Sequence, residues 1–181
     1  MNSLIETQNY KRALRAYIEA YETLTPLSLH TQLLPLFARG AYFEDPFNRV
    51  YGVAAIGRVF EHMFDSVEKP QFKVTHSALN QSQVVSGHLP VAFLEWQFTF
   101  SRAGGQVHCI VGTSKVVFDA NGLVLSHIDF WDTGRYVYQQ VPVLRSVIRW
   151  VNRRLKAPLD KKVDKETGKE QNKSPHQGQE R

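Results

Sequence analysis

Cysteine is almost missing from this chain. Cys109 is the only one in 181 residues, so no internal disulfide can form, and a reducing compartment is expected. No run approaches the roughly 20 apolar residues of a membrane-spanning helix. The start, Met1–Glu6, lacks the basic residues and apolar stretch of an export signal, so a cytoplasmic placement is expected. Glycine never forms a phosphate-cradling loop: Ala103-Gly104-Gly105 falls between two strand patterns and opens no helix. His62, His76, His88, His108 and His127 are scattered, without the paired spacing of zinc ligands, so no metal or cofactor is expected. Cys109 has no evident catalytic partner and reads as a strand residue. There is no internal repeat.

With 43% hydrophobic and 22% charged residues, the composition is that of a globular domain with a real core. The net charge of +5 is concentrated. Residues 145–156 carry Arg145, Arg149, Arg153, Arg154 and Lys156 without an acid, whereas residues 1–144 hold eleven basic and twelve acidic side chains. The body is near neutral, so nucleic acid is not an expected partner. Beyond Ala157 the chain is Lys, Asp, Glu, Gln and Gly with almost nothing apolar, so residues 157–181 are expected to be a disordered tail.

Periodicity divides the rest. Leu14, Tyr17, Ile18, Tyr21 and Leu24 predict a helix over 8–23, and Thr25-Pro26 caps a second running to about Phe37. Gly40 is expected to end it, with a short extended stretch over 41–44. Gly52 opens a third helix with Ile56, Val59, Phe60, Met63 and Phe64 on one face. After Pro70 the period becomes two: strands are expected from Phe72, over 91–101, over 107–118 and over 123–132, with Asp119-Ala120-Asn121-Gly122 as a hairpin turn. Helices followed by an antiparallel meander make an α+β fold, with helices on one face of a curved sheet. From Pro142 to Lys156 a further helix carries Leu144, Val147, Ile148, Val151 and Leu155 as a stripe.

Two stretches place ionisable groups among large aromatic ones: Ala41-Tyr42-Phe43-Glu44-Asp45-Pro46-Phe47 and His127-Ile128-Asp129-Phe130-Trp131-Asp132. Such groups are seldom buried unpaired, so they point to a lined pocket. A desolvated Asp45 between Phe43 and Phe47 has the makings of a general base; the plainer alternative is an Asp-Pro that ends a strand and caps a turn. His127, Asp129 and Trp131 alternate and share one strand face, so Asp129 could fix the His127 tautomer. The alternative is a satisfied polar cluster ordering the strand end. Ile128 and Phe130 point the other way, toward an outer face expected to be covered by a second copy in a homodimer. Glu95, on that outward side, reads as solvated or interfacial.

The order Leu36-Phe37, Phe43-Glu44-Asp45-Pro46, Gly52…Ile56 and the later meander resembles the nuclear transport factor 2-like superfamily over about residues 8–135, especially SnoaL-like proteins. That cone-shaped fold includes ketosteroid isomerases, polyketide cyclases, limonene-epoxide hydrolases and many non-enzymes. The resemblance implies Asp45 at the isomerases' catalytic base and Tyr17, with Tyr21 as rival, at their oxyanion-stabilising tyrosine. Ser114 stands where those isomerases have a neutral carboxylic acid. The expected organisation is a SnoaL-like domain (1–135), an amphipathic basic helix packed on it (136–156) and the tail. The basic helix also admits a second placement, on an anionic membrane surface.

The function this implies is cofactor-independent isomerisation, cyclisation or hydrolysis of a small apolar molecule. Asp45, His127, Asp129 and Tyr17 would be catalytic, with Trp131, Trp96, Phe43, Phe60, Ser114 and Tyr21 around the substrate. The alternative is a non-catalytic ligand-binding or interaction module on the same fold.

Overall fold

A computed structural model describes residues 2–80, 89–102, 105–138 and 142–155. The expected tail, His88 and Ala103-Gly104 lie outside these residues. The chain forms two units, one ending at Tyr136 and the other beyond it.

In the first unit, helix α1 (Asn2–Glu22) buries Tyr10, Leu14, Tyr17, Tyr21 and, just past its end, Leu24, a spacing of four and three that places them on one stripe. It begins earlier than its apolar periodicity suggested. Thr25 then caps the turn α2 (Pro26–Ser28). Ser28 N–H donates to Thr25 Oγ1 at 3.0 Å, and Thr25 N–H donates to Ser28 Oγ at 2.8 Å. The expected regular helix does not continue. A wide π turn (Leu29–Leu33) and a tight 3-10 turn (Leu34–Leu36) replace it, because Pro35 has no N–H for the Thr31 carbonyl. Those turns still bury Leu29, Leu33 and Leu34.

Strand β1 (Phe37–Glu44) therefore starts earlier than expected, and Gly40 lies inside it rather than at a helix end. The register of β1 against β6 shifts between Phe37 and Tyr42, the irregularity that a glycine in a strand allows. A three-residue strand absent from the sequence reading, β2 (Arg49–Tyr51), folds back on β1. Gly52, at φ +83°, redirects the chain into α3 (Val53–Ser66), which buries Ile56 and Phe60.

Strands β3 (Glu68–Asn80), β4 (Val91–Ser101), β5 (Val107–Phe118) and β6 (Val124–Trp131) form the antiparallel meander. The sheet as a whole is mixed, open and six-stranded in the order β2-β1-β6-β5-β4-β3, because β1 runs parallel to β6. Pro70 is tolerated in β3 because that strand is an edge. Between β5 and β6, Asp119 Oδ1 accepts from the N–H groups of Asn121 (2.8 Å) and Leu123 (2.9 Å), and Gly122 takes φ +80°. One sheet face, through Ala92, Leu94, Trp96, Phe100, Ile110, Val116, Phe118 and Val124, shares a core with α1 and α3. On the other face Phe93, Val111 and Phe130 are exposed, and Glu95 pairs with His76 at 3.4 Å. A short helix α4 (Thr133–Tyr136) closes this unit. The second unit contains α5 (Pro142–Leu155).

Candidate functional site

The pairing of β1, β6 and β5 places three polar side chains under α1. Phe43 of β1 aligns with His127 of β6, and Ser114 of β5 aligns with Asp129. His127 is only 2% exposed, and its ring is clamped between two parallel aromatic rings. Phe43 lies at 5.1 Å and 11°, and Tyr21 at 5.7 Å and 8°. Both ring nitrogens are engaged. Nδ1 is 2.9 Å from the Tyr17 hydroxyl, and Nε2 is 2.7 Å from Asp129 Oδ1. That same Oδ1 accepts a short hydrogen bond from Ser114, whose oxygen accepts the Trp96 indole N–H at 2.7 Å.

The result is a continuous chain from Trp96 through Ser114, Asp129 and His127 to Tyr17, with Tyr21 3.4 Å beyond. It works in two protonation states without moving a heavy atom. With a neutral ring, Nε2–H donates to Asp129 and Nδ1 accepts from Tyr17. With an imidazolium, Nδ1–H donates to the Tyr17 oxygen and the Tyr17 proton turns toward Tyr21. Burial, then the neighbouring Tyr21 hydroxyl and the Asp129 charge, raise the Tyr17 phenol well above its ordinary value. Burial and Asp129 do the same for Tyr21. Both therefore remain protonated donors.

Asp129 is the member that reaches open space: its side chain is 17% exposed, and Oδ2 has no hydrogen bond among the described residues. It faces a cavity of about 20 Å³ lined by Tyr21, Phe72, Val74, Leu94, Trp96, Ser114, His127 and Asp129. That is room for about one water and far less than a substrate-sized chamber of roughly 300 Å³ or more.

The structure thus gathers Tyr17, Tyr21, Trp96, Ser114, His127 and Asp129. It also shows a partner that the periodicity did not reveal, Gly112. A Cβ there would stand 3.0 Å from Trp96 Cε2 and closer still to Cζ2 and Cη2. The indole lies against bare backbone, and a lone glycine inside a strand pattern was the available signal. Phe60 sits behind the site, edge-on to Tyr21 and Phe43. Trp131 packs on Phe47 at 5.3 Å. Neither lines the cavity.

Asp45 also stands apart. Its Oδ1 accepts the backbone N–H groups of Phe47 and Asn48, each at 2.7 Å, while Asn48 Nδ2 donates to both carboxylate oxygens. Asp45 does not line the cavity; it holds the β1–β2 turn together. Among the described residues no group of three His, Cys, Asp or Glu side chains is placed to hold a metal ion.

A helix-backed, mixed sheet with this strand order defines the nuclear transport factor 2-like fold, and solved structures share it. A nuclear transport factor 2-like protein of unknown function from Exiguobacterium sp. 255-15 aligns with TM-score 0.55 and 15% identity, over 66% of this chain and 98% of that one. An LEH-like epoxide hydrolase from M. tuberculosis aligns at 0.54 and 14%, over 80% and 96%. A Catenulispora acidiphila protein with the ketosteroid isomerase-like fold, in complex with trimethylamine, aligns at 0.56 and 12%, over 70% and 90%. Residues 14–127 match the SnoaL-like domain, and the chain belongs to that family. Comparison with curated proteins gives no match.

Proposed function

We propose that this chain is a cofactor-independent acid–base enzyme acting on a small apolar molecule, with Asp129 and His127 moving the proton. The observation that carries this reading is that Asp129 lines a water-sized cavity at the end of a buried hydrogen-bond chain, with its Oδ1 held by Ser114 and His127 and its Oδ2 without a hydrogen bond among the described residues. Asp129 Oδ2 takes a proton from a water or a carbon acid. His127 steadies the carboxylate through Oδ1, and the Tyr21 hydroxyl offers a hydrogen bond across the cavity. Hydrolysis is the favoured class, because the cavity fits a water; a substrate has to displace side chains at its wall to reach it.

The resemblance to ketosteroid isomerases implies a base at Asp45, whereas this reading moves it to Asp129 because the hydrogen bonds to the Asp45 carboxylate all come from its own turn. The test is turnover of a panel of epoxides, activated esters and enolisable ketones. Asp129→Asn, which keeps size and the Ser114 contact, is expected to lower kcat/KM by about 10²–10⁴ with melting unchanged. Equal turnover by that variant sinks the reading.

A second reading, a non-catalytic ligand-binding module, is favoured by one observation: Asp45 does not share the cavity with His127 and Asp129. It predicts no turnover anywhere on the panel. The partner proposed for either reading is a second copy of the chain, docked through the outer sheet face.

A further inference from the structure

The second unit holds a surface that acid–base chemistry does not use. Helix α5 (Pro142–Leu155) is about 21 Å long at 1.5 Å per residue. Its four cations are Arg145, Arg149, Arg153 and Arg154, and it has no acidic residue. Leu144, Val147, Ile148, Val151 and Leu155 recur at helical spacing along one side, while Arg149, Asn152, Arg153 and Ser146 line the opposite side. Trp150 stands at the border, with the Arg154 guanidinium 4.5 Å over its ring. Leu144, Val147, Trp150, Val151 and Leu155 are all exposed. Among the described residues no helix is long and apolar enough to cross a membrane.

We propose that α5 docks in the plane of an anionic lipid surface, with the apolar side in the headgroup–acyl boundary and the arginines on lipid phosphates. Charge complementarity and the apolar stripe together select this occupant. A nucleic acid would satisfy the arginines but leave Leu144, Val147, Val151 and Leu155 in water. A second α5 would cover the stripe but bring two acid-free cationic helices together. A lipid surface takes both sides at once, and Trp150 lies at the level where indoles partition. The helix is too short to span, so it lies flat.

The experiment is co-sedimentation of the full chain with vesicles of phosphatidylcholine alone or mixed with phosphatidylglycerol. Binding is expected on the anionic vesicles only, weakening as salt rises. Arg149→Glu/Arg153→Glu is expected to lower partitioning at least about tenfold, since each arginine near an anionic surface contributes on the order of 1 kcal/mol. Val147→Asp/Val151→Asp, which keeps every arginine, is expected to lose binding too. Unchanged near-UV circular dichroism shows that either variant keeps the rest of the fold. Three results overturn the proposal: equal binding to neutral vesicles, no binding to anionic ones, or full binding by either double variant. Retention by the Val→Asp variant, with competition by duplex DNA, would assign the helix to nucleic acid instead.

Discussion

The contact between Gly112 and Trp96 is the most exposed joint in the site, and alanine at 112 tests it. The added Cβ would overlap the indole, standing 3.0 Å from Cε2 and nearer to Cζ2 and Cη2. The strand backbone cannot retreat, because Gly112 is paired to Trp96 on one side and Trp131 on the other. The indole must move, and its N–H then leaves the Ser114 oxygen. Overpacking of this kind costs about 1–3 kcal/mol. Losing a buried hydrogen bond adds about 1–3 kcal/mol. Removing the glycine's extra unfolded-state freedom returns about 0.5–1 kcal/mol.

The net expectation is therefore a loss of about 1–5 kcal/mol, read as a clear fall in the urea midpoint with an unchanged slope. Gly40→Ala is the control: its Cβ would meet nothing within 4 Å, so it should lose no stability and gain up to about 1 kcal/mol from the lost unfolded-state freedom. Trp96→Phe removes the clashing atoms, so the double variant should lose less than the two single losses combined. The Trp96 indole N–H resonance reports the hydrogen bond directly. A Gly112→Ala protein that unfolds at the wild-type midpoint, with that resonance unmoved, refutes the geometry.

Tyr17 and Tyr21 give a pH prediction. Both phenols are raised in the folded chain, so above about pH 10 the unfolded chain releases protons that the fold retains, and stability falls as pH rises; below that the two states match and the pair contributes no slope. Urea titrations should show a fall approaching about 2.7 kcal/mol per pH unit, halved by Tyr17→Phe; a flat profile through pH 11 would contradict the burial. Asp45→Ala should destabilise by about 1–3 kcal/mol through the β1–β2 turn, while Asp45→Asn, which keeps the Oδ1 acceptor, should stay within about 1 kcal/mol; equal melting of Ala and Asn variants would contradict the turn. For the proposed homodimer, light scattering should give about twice the 20.8 kDa chain mass and Phe130→Glu should return the monomer; a wild-type monomer at every concentration removes that partner.

What was legible in the sequence is what local periodicity encodes. Strands 91–101 and 107–118 appear at those bounds because each buries alternate residues against the helices. The α1 stripe and the Gly52 entry to α3 were equally plain. The parallel pairing of β1 with β6 was not, because it joins segments some eighty residues apart, and no local pattern records which strands meet. The three residues of β2 are too few to show a period. Pro35 was visible, but its effect on the turns from Leu29 to Leu36 depends on the core holding the broken helix in place.

The candidate site divides in the same way. His127 and Asp129 could be read as a pair because a strand puts alternate residues on one face. Their partners come from α1, β4 and β5, so only tertiary structure supplies them. Asp45 marks the limit of a motif. Phe-Glu-Asp-Pro fixes where the backbone of residue 45 lies at the end of β1, but the direction of its carboxylate is set by competition between a cavity and the nearest free N–H groups. With Pro46 bending the chain, Phe47 and Asn48 present two such donors at 2.7 Å, and Asn48 adds its amide. A carboxylate offered those charge-assisted bonds within its own turn gains little by turning toward a cavity with room for about one water, and Asp129, already aligned by Ser114 and His127, lines that cavity instead.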